Sequence, residues 1–376
     1  MKFTVDNTEL RRVLACVTKV INPHTPTPIL SNILITKDDD AYYIVANSTD
    51  TELALKVDIH LISGTFEPIC INPLILSQMS AKLGGEQLIF ITAEKKVTVQ
   101  YLTGSFSVPK FDASEFPRIN AELQPDYTEF EISVSNILPT LTSGVIMTGK
   151  NVLRPIMSNE AIDVVNDGFT IVATNGHSLF RRRHIPGAPF ITNGKPRIML
   201  YRASINGIVK EAFATSENIR FASDERMLNI SSDKARFISM NIEGKYPAYD
   251  TVIPKIFKSE FTINRKLLIE ALDRVILVAC QSTKVVTFTF TAEQTTISSS
   301  DNDFSTDGCE SVDMIKSTVP GDFHIAFNGA ALINELRTAQ TEEVTIKLNS
   351  HASAMVLVEN DPKSEILMML MPIKED

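Results

Sequence analysis

Phe3-Thr4-Val5, Phe130-Glu131-Ile132 and Phe261-Thr262-Ile263 open three stretches of the chain in the same way. The first runs on into Leu10, Val13, Leu14 and Val17, the second into Ile137, Leu138 and Leu141, the third into Leu268, Ala271, Leu272 and Val275. An aromatic and a β-branched residue two positions apart make a short strand with one apolar face. Apolar residues recurring at three and four then make an amphipathic helix. The second and third starts lie 127 and 258 residues after Phe3, a period of about 130, the size of a whole domain. Three copies of one domain suggest a symmetric surface or an enclosure.

A second helix is expected inside each copy, over 72–83, 201–214 and 328–340. Its apolar spacing rests on Leu76, Met79 and Leu83, then Ile205, Ile208 and Val209, then Leu332, Ile333 and Leu336. Alternating β-branched segments fill the rest, among them 41–46, 88–91, 97–101, 169–173, 285–290, 344–348 and 355–358. Phe116-Pro117 and Tyr246-Pro247 close the first two copies, and Leu370-Met371-Pro372-Ile373 the third. The fold class expected is α+β: three similar domains at 1–125, 126–256 and 257–376, each with two helices over antiparallel sheet.

With 44% hydrophobic residues and a mean hydropathy of +0.04, the 376-residue chain suits folded cores rather than disorder. No apolar run approaches the ~18 residues a membrane helix needs, and Met1–Val5 does not read as a signal peptide. Four cysteines without a CxxC pair suggest a reduced, cytoplasmic protein with buried thiols. The net charge of −9 alone argues against nucleic-acid binding. Its distribution argues otherwise. The six helical windows, 7–20, 72–83, 135–151, 201–214, 264–279 and 328–340, hold eleven basic and five acidic residues, a net of +6 that leaves −15 elsewhere. A single basic helix face is ordinarily a solvated one. Six equivalent faces that converge would attract phosphates without reading bases, inside an acidic exterior that steers nucleic acid inward.

Motifs that resemble catalytic ones do not assemble. Gly144–Lys150 nearly matches a phosphate-binding loop, but Asn151 stands where a magnesium-binding Ser or Thr belongs and a helix precedes it; a glycine-capped helix end is the simpler reading. Asn175-Gly176 reads as a tight turn that fixes His177, with no nucleophile assignable beside it. Arg181-Arg182-Arg183 reads as a charged edge strand. The six histidines lack metal-ligand spacing, so no metal, cofactor or catalytic residue is expected. The methionine-rich 366–373 suits a core, and also a pocket that accepts several partner peptides.

Together with the threefold repeat, Met1–Val5, Thr27–Leu34, Arg154–Met157, Ala173–Leu179, Gly244–Lys255 and Met371–Ile373 resemble the bacterial sliding clamps, the beta subunits of DNA polymerase III, over essentially the full length. The resemblance implies a non-catalytic, head-to-tail homodimeric ring with helices lining a hole that duplex DNA threads. It implies partners in the replicative polymerase and the clamp loader, and none in the membrane. A pocket for partner peptides is implied at Met157, Thr174, Gly176, His177, Leu179, Pro247, Val252, Met355, Met369, Met371 and Pro372, and DNA-facing positions at His24, Lys150, Asn151, Pro155, Ile156 and Arg202. Phe106 and Val108 of one subunit are implied to pack near Ile276 and Leu277 of the other. The family commonly carries a basic residue where Ser178 stands. The competing reading is a cytosolic peptide-binding scaffold of the same fold that does not tether DNA.

Overall fold

The computed structural model describes residues 1–22, 24–150, 154–165, 168–184, 191–192, 197–291, 294–320 and 323–374. Each Phe-led stretch forms a strand that runs directly into a helix: Lys2–Asp6 into Asn7–Val17, Thr128–Ser133 into Val134–Gly144, and Ser259–Asn264 into Arg265–Val275. In the first and third, the last strand residue is the helix cap. Asp6 accepts from the Thr8 and Glu9 amides at 2.9 and 3.0 Å, and Asn264 from those of Lys266 and Leu267 at 3.0 and 3.1 Å. Phe3, Phe130 and Phe261 are buried, and each meets a second ring, Phe90, Phe221 and Phe290, at centroid distances of 4.9, 5.0 and 5.0 Å. Such pairs add about 0.5–1.5 kcal/mol beyond the area they bury.

The second helices are Pro73–Lys82, the continuous run 202–212, and Gly329–Thr338. Asn72 and Asn328 cap the outer two. The middle one widens into a π-helix over Ile205–Val209. No helix among the described residues is long and apolar enough to cross a membrane.

The chain divides into two compact units, residues 1–139 with 187–241, and 140–186 with 242–376. In the first, fourteen strands form one antiparallel sheet system. Thr51–Lys56 pairs with Ala235–Met240, Leu53 opposite Phe237, so strands distant in sequence share a ladder. Arg118 binds the buried Glu52 at 2.9 Å beside this junction, and Arg236 binds Asp38 at 2.8 Å while lying over the Tyr43 ring. Helix Asn7–Val17 packs on the run 202–212, where Lys19 pairs with Glu211 at 2.5 Å.

In the second unit the strand order begins Asn159–Val165, Gly168–Thr174, Ser178–His184, Ile366–Leu370, Met355–Glu359, Glu343–Leu348 and Ser259–Asn264. Three sequence expectations are corrected here. Arg181–Arg183 lie on an interior strand, paired with Gly168–Thr174 on one side and Ile366–Leu370 on the other, not on an edge. Gly144 has ordinary helical dihedrals, so it is no left-handed cap. It is glycine because a Cβ there would overlap Glu160 Oε1 and lie 2.9 Å from Phe180 Cδ1. Cys16 and Cys70 are buried thiols, but Cys280 is half-buried and Cys309 exposed.

Candidate functional site

Most of the expected pocket residues meet on one face of the second unit's sheet. Thr174 lies opposite Leu179, Leu179 opposite Met369, and Met369 opposite Val356. Residues directly opposite in antiparallel pairs project to the same side, so Thr174, Leu179 and Met369 form one buried row. The hairpin Asn175–His177 closes this row at one end. Asn175 Oδ1 accepts from the His177 and Ser178 amides at 2.8 and 2.7 Å, and Thr174 Oγ1 donates to the Ser178 carbonyl at 2.8 Å. Gly176 has φ +91°, a conformation that L side chains rarely adopt. The space beside it is occupied by Met157 Sδ and Arg154 Nη1, 3.9 and 3.8 Å from where a Cβ would sit.

The chain after Ile366–Leu370 extends the ladder. The Met371 amide donates to the His177 carbonyl and the Ile373 amide to the Ala326 carbonyl, both at 2.8 Å. Pro372 is thereby held between two tethered residues, with Met371 exposed beside His177. Segment 244–252 covers the other end of the same face. Tyr249 Oη donates to Asp163 at 2.6 Å and Arg181 donates to Asp250 at 3.5 Å. Tyr246 Oη reaches the carbonyls of Asn159 and Val172 at 3.4 and 3.3 Å. Pro247 and the exposed Val252 belong to this covering segment. The result is an apolar floor of Leu179 and Met369, with Gly176, His177 and Met371 exposed at its hairpin end and Val252 exposed on the covering segment. A buried backbone ladder with flexible thioethers suits an extended apolar peptide segment.

Met355 is a correction. It lies opposite Leu370, one row over, and therefore faces the other side of the sheet. There it is fully buried among Phe261, Phe288, Phe290 and Leu332. The sequence reading missed Arg154, whose guanidinium stands beside Gly176; its signal was the pre-proline position in the quoted Arg154–Met157 match. Ser178 is buried. On that same opposite face, Glu160 and Glu335 are completely buried carboxyls, and burial holds both well above the usual carboxylate range.

Of the DNA-facing positions, His24, Lys150 and Pro155 are exposed, Ile156 and Arg202 are half-buried, and Asn151 lies outside the described residues. Arg11 and Arg12 are exposed on the first helix. Four cations of the expected helical windows face acids. Lys19 pairs with Glu211, Lys266 with Glu270, Arg274 with Glu310, and Arg337 with Asp273. At the expected subunit seam, Leu277 is exposed and Phe106 and Ile276 half-buried. Val108 is a second correction, being buried in the first unit opposite Val97, with no surface left for a partner.

Comparison with known proteins supplies the family. Residues 1–120 match the N-terminal domain and residues 250–374 the C-terminal domain of the DNA polymerase III beta subunit, together well over half of the chain. The beta sliding clamp of Synechococcus elongatus is 21% identical over 100% of this chain and 99% of its own length, and that of Bacillus subtilis 22% identical over 100% of both. Among solved structures, the Pseudomonas aeruginosa sliding clamp, crystallised with griselimycin, superposes with a TM-score of 0.91 at 19% identity, and the Thermotoga maritima beta subunit with 0.88 at 21%, each over 100% of both chains. The chain is thus a member of the DNA polymerase III beta-subunit family, the non-catalytic sliding clamps of bacteria.

Proposed function

We propose that two copies of this chain join head to tail into a closed ring around duplex DNA in the cytoplasm, and that the ring tethers the replicative polymerase and other partners that carry a short apolar clamp-binding segment. The clamp loader is among those partners. The chain is read as three domains, 1–125, 126–256 and 257–376, each opened by one of the Phe-led strand–helix pairs. The full-length agreement with sliding-clamp folds carries this reading. Exposed Arg11, Arg12 and Lys150 supply contacts to phosphate that any sequence satisfies, which sliding requires. The Thr174–Leu179–Met369 floor and its exposed surround supply the partner pocket.

The test loads the chain on nicked circular DNA. Retention on circles and loss after linearisation is the expected outcome; equal loss from both would refute encirclement. Truncation after Leu370 removes the Met371 and Ile373 tethers without touching the Leu179–Met369 pairing. It should abolish partner-peptide binding while the ring still closes, and retained peptide affinity would refute the pocket.

A further inference from the structure

We infer that Arg181 reads a carboxylate in the partner's clamp-binding segment, so that this chain prefers segments with Asp or Glu two residues from the apolar side chain seated on Leu179 and Met369. This rests on the pocket reading above and adds to it a rule for choosing partners. The run Arg181-Arg182-Arg183 reads in the sequence as charge that protects a sheet edge. That role is closed to it, because its strand is paired on both sides. Arg182 points to the face opposite the pocket, where it lines a polar hollow with Glu359. Arg181 points to the pocket face, by the alternation that starts from Leu179. It stands two residues, about 6–7 Å, along the strand from Leu179.

The surroundings of Arg181 are apolar. It lies opposite Val172 on one side and Leu367 on the other, Val172 lies opposite Ala161, and Leu367 opposite Val358. Arg181 thus puts a cation into a row otherwise made of Ala161, Val172, Leu367 and Val358, next to the Thr174–Leu179–Met369 row. A guanidinium carries five N–H donors. One of them meets Asp250 at 3.5 Å, a long contact, and no other described residue bonds the guanidinium. The Asp250 side chain, in the covering segment, is 71% exposed, and that of Arg181 is 32% exposed. Asp163, two strands from Arg183 on the same face, already accepts from Tyr249 Oη at 2.6 Å. A half-buried cation held so lightly has donors to spare for a second carboxylate, which a guanidinium binds through two parallel N–H groups. The chain as a whole carries −9, which disfavours an acidic segment at long range, so a preference for one has to come from a local cation.

Fluorescence anisotropy tests this on the full chain, with the clamp-binding peptide of the replicative polymerase and copies that carry Asp, Asn or Lys two residues to either side of its apolar anchor. At low salt the Asp copy should bind about fivefold tighter than the Asn copy at one of the two positions. The difference should shrink at about 1 M NaCl. Arg181→Leu should bring the Asp-to-Asn ratio to about one, and Arg181→Glu should favour the Lys copy instead. The ratio is taken within each variant, so a general loss of affinity cancels. Asp250→Asn changes an exposed side chain and removes the carboxylate that competes for Arg181, so it should raise the ratio. An Arg181 that only ties down segment 244–252 would instead weaken every copy alike in all three variants. That result, equal binding of the Asp and Asn copies at both positions, or a preference that survives Arg181→Leu overturns the role of Arg181 and leaves the pocket standing. A chain that binds no copy, or binds them as well after truncation beyond Leu370, overturns the pocket and the role of Arg181 with it.

Discussion

Replacing Glu160 by Gln should destabilise the second unit at low pH and stabilise it progressively, relative to wild type, as pH rises. The Glu160 carboxyl is fully buried with no hydrogen-bond partner among the described residues, and burial holds it well above the usual range. It is neutral in the folded chain. In the unfolded chain it ionises above about pH 4.5. The unfolded state then binds fewer protons than the folded one, so stability falls as pH rises. The loss is about 1.4 kcal/mol per pH unit, beginning at the unfolded pKa and ending where the folded carboxyl itself ionises. Gln has the same shape and no proton to lose. Relative to wild type, Glu160→Gln should therefore gain about 1.4 kcal/mol for each unit above pH 5. Below pH 4 the difference should flatten, with the buried amide costing about 1–3 kcal/mol. Glu335 titrates in both proteins and cancels. Hydrogen exchange of the strands 159–165 and 168–174 at pH 5, 6 and 7, corrected for intrinsic rates, reports this region alone. Parallel pH profiles for the two proteins would mean that Glu160 is solvated or ionised, and would refute the reasoning.

Gly144→Ala should destabilise the same unit by about 1–3 kcal/mol in urea denaturation, because its Cβ meets Glu160 and Phe180; adding Glu160→Ala should recover part of the loss, and strictly additive effects would count against that contact. Gly176→Ala should cost about 1–2 kcal/mol through its φ of +91° and weaken partner-peptide binding measured by fluorescence anisotropy, whereas unchanged peptide affinity would place the pocket elsewhere. Arg11→Glu with Arg12→Glu should lower DNA affinity and flatten its dependence on salt by about two phosphate contacts, an effect absent if those helices face away from DNA.

The helices were legible because 3.6-residue apolar spacing is a local signal. The expected window 264–279 became Arg265–Val275 and its short 3-10 extension for that reason. Side-chain direction was less legible. Val108 and Met355 are apolar residues on strands buried on at least one face, and alternation alone does not say which face meets a core and which a partner. The Arg181–Arg183 strand was misread because its neighbour, Ile366–Leu370, lies far along the chain, and pairing at that separation leaves no local trace. Arg154 escaped because its place beside Gly176 depends on the fold of a hairpin about twenty residues away.

The ladders joining Thr51–Lys56 to Ala235–Met240 and Ser178–His184 to Ile366–Leu370 have a mechanical consequence. Within each unit, segments from different sequence repeats are stitched by backbone hydrogen bonds rather than by a pliable connector. Flexing at those two ladders is an elastic twist that their neighbouring strands share.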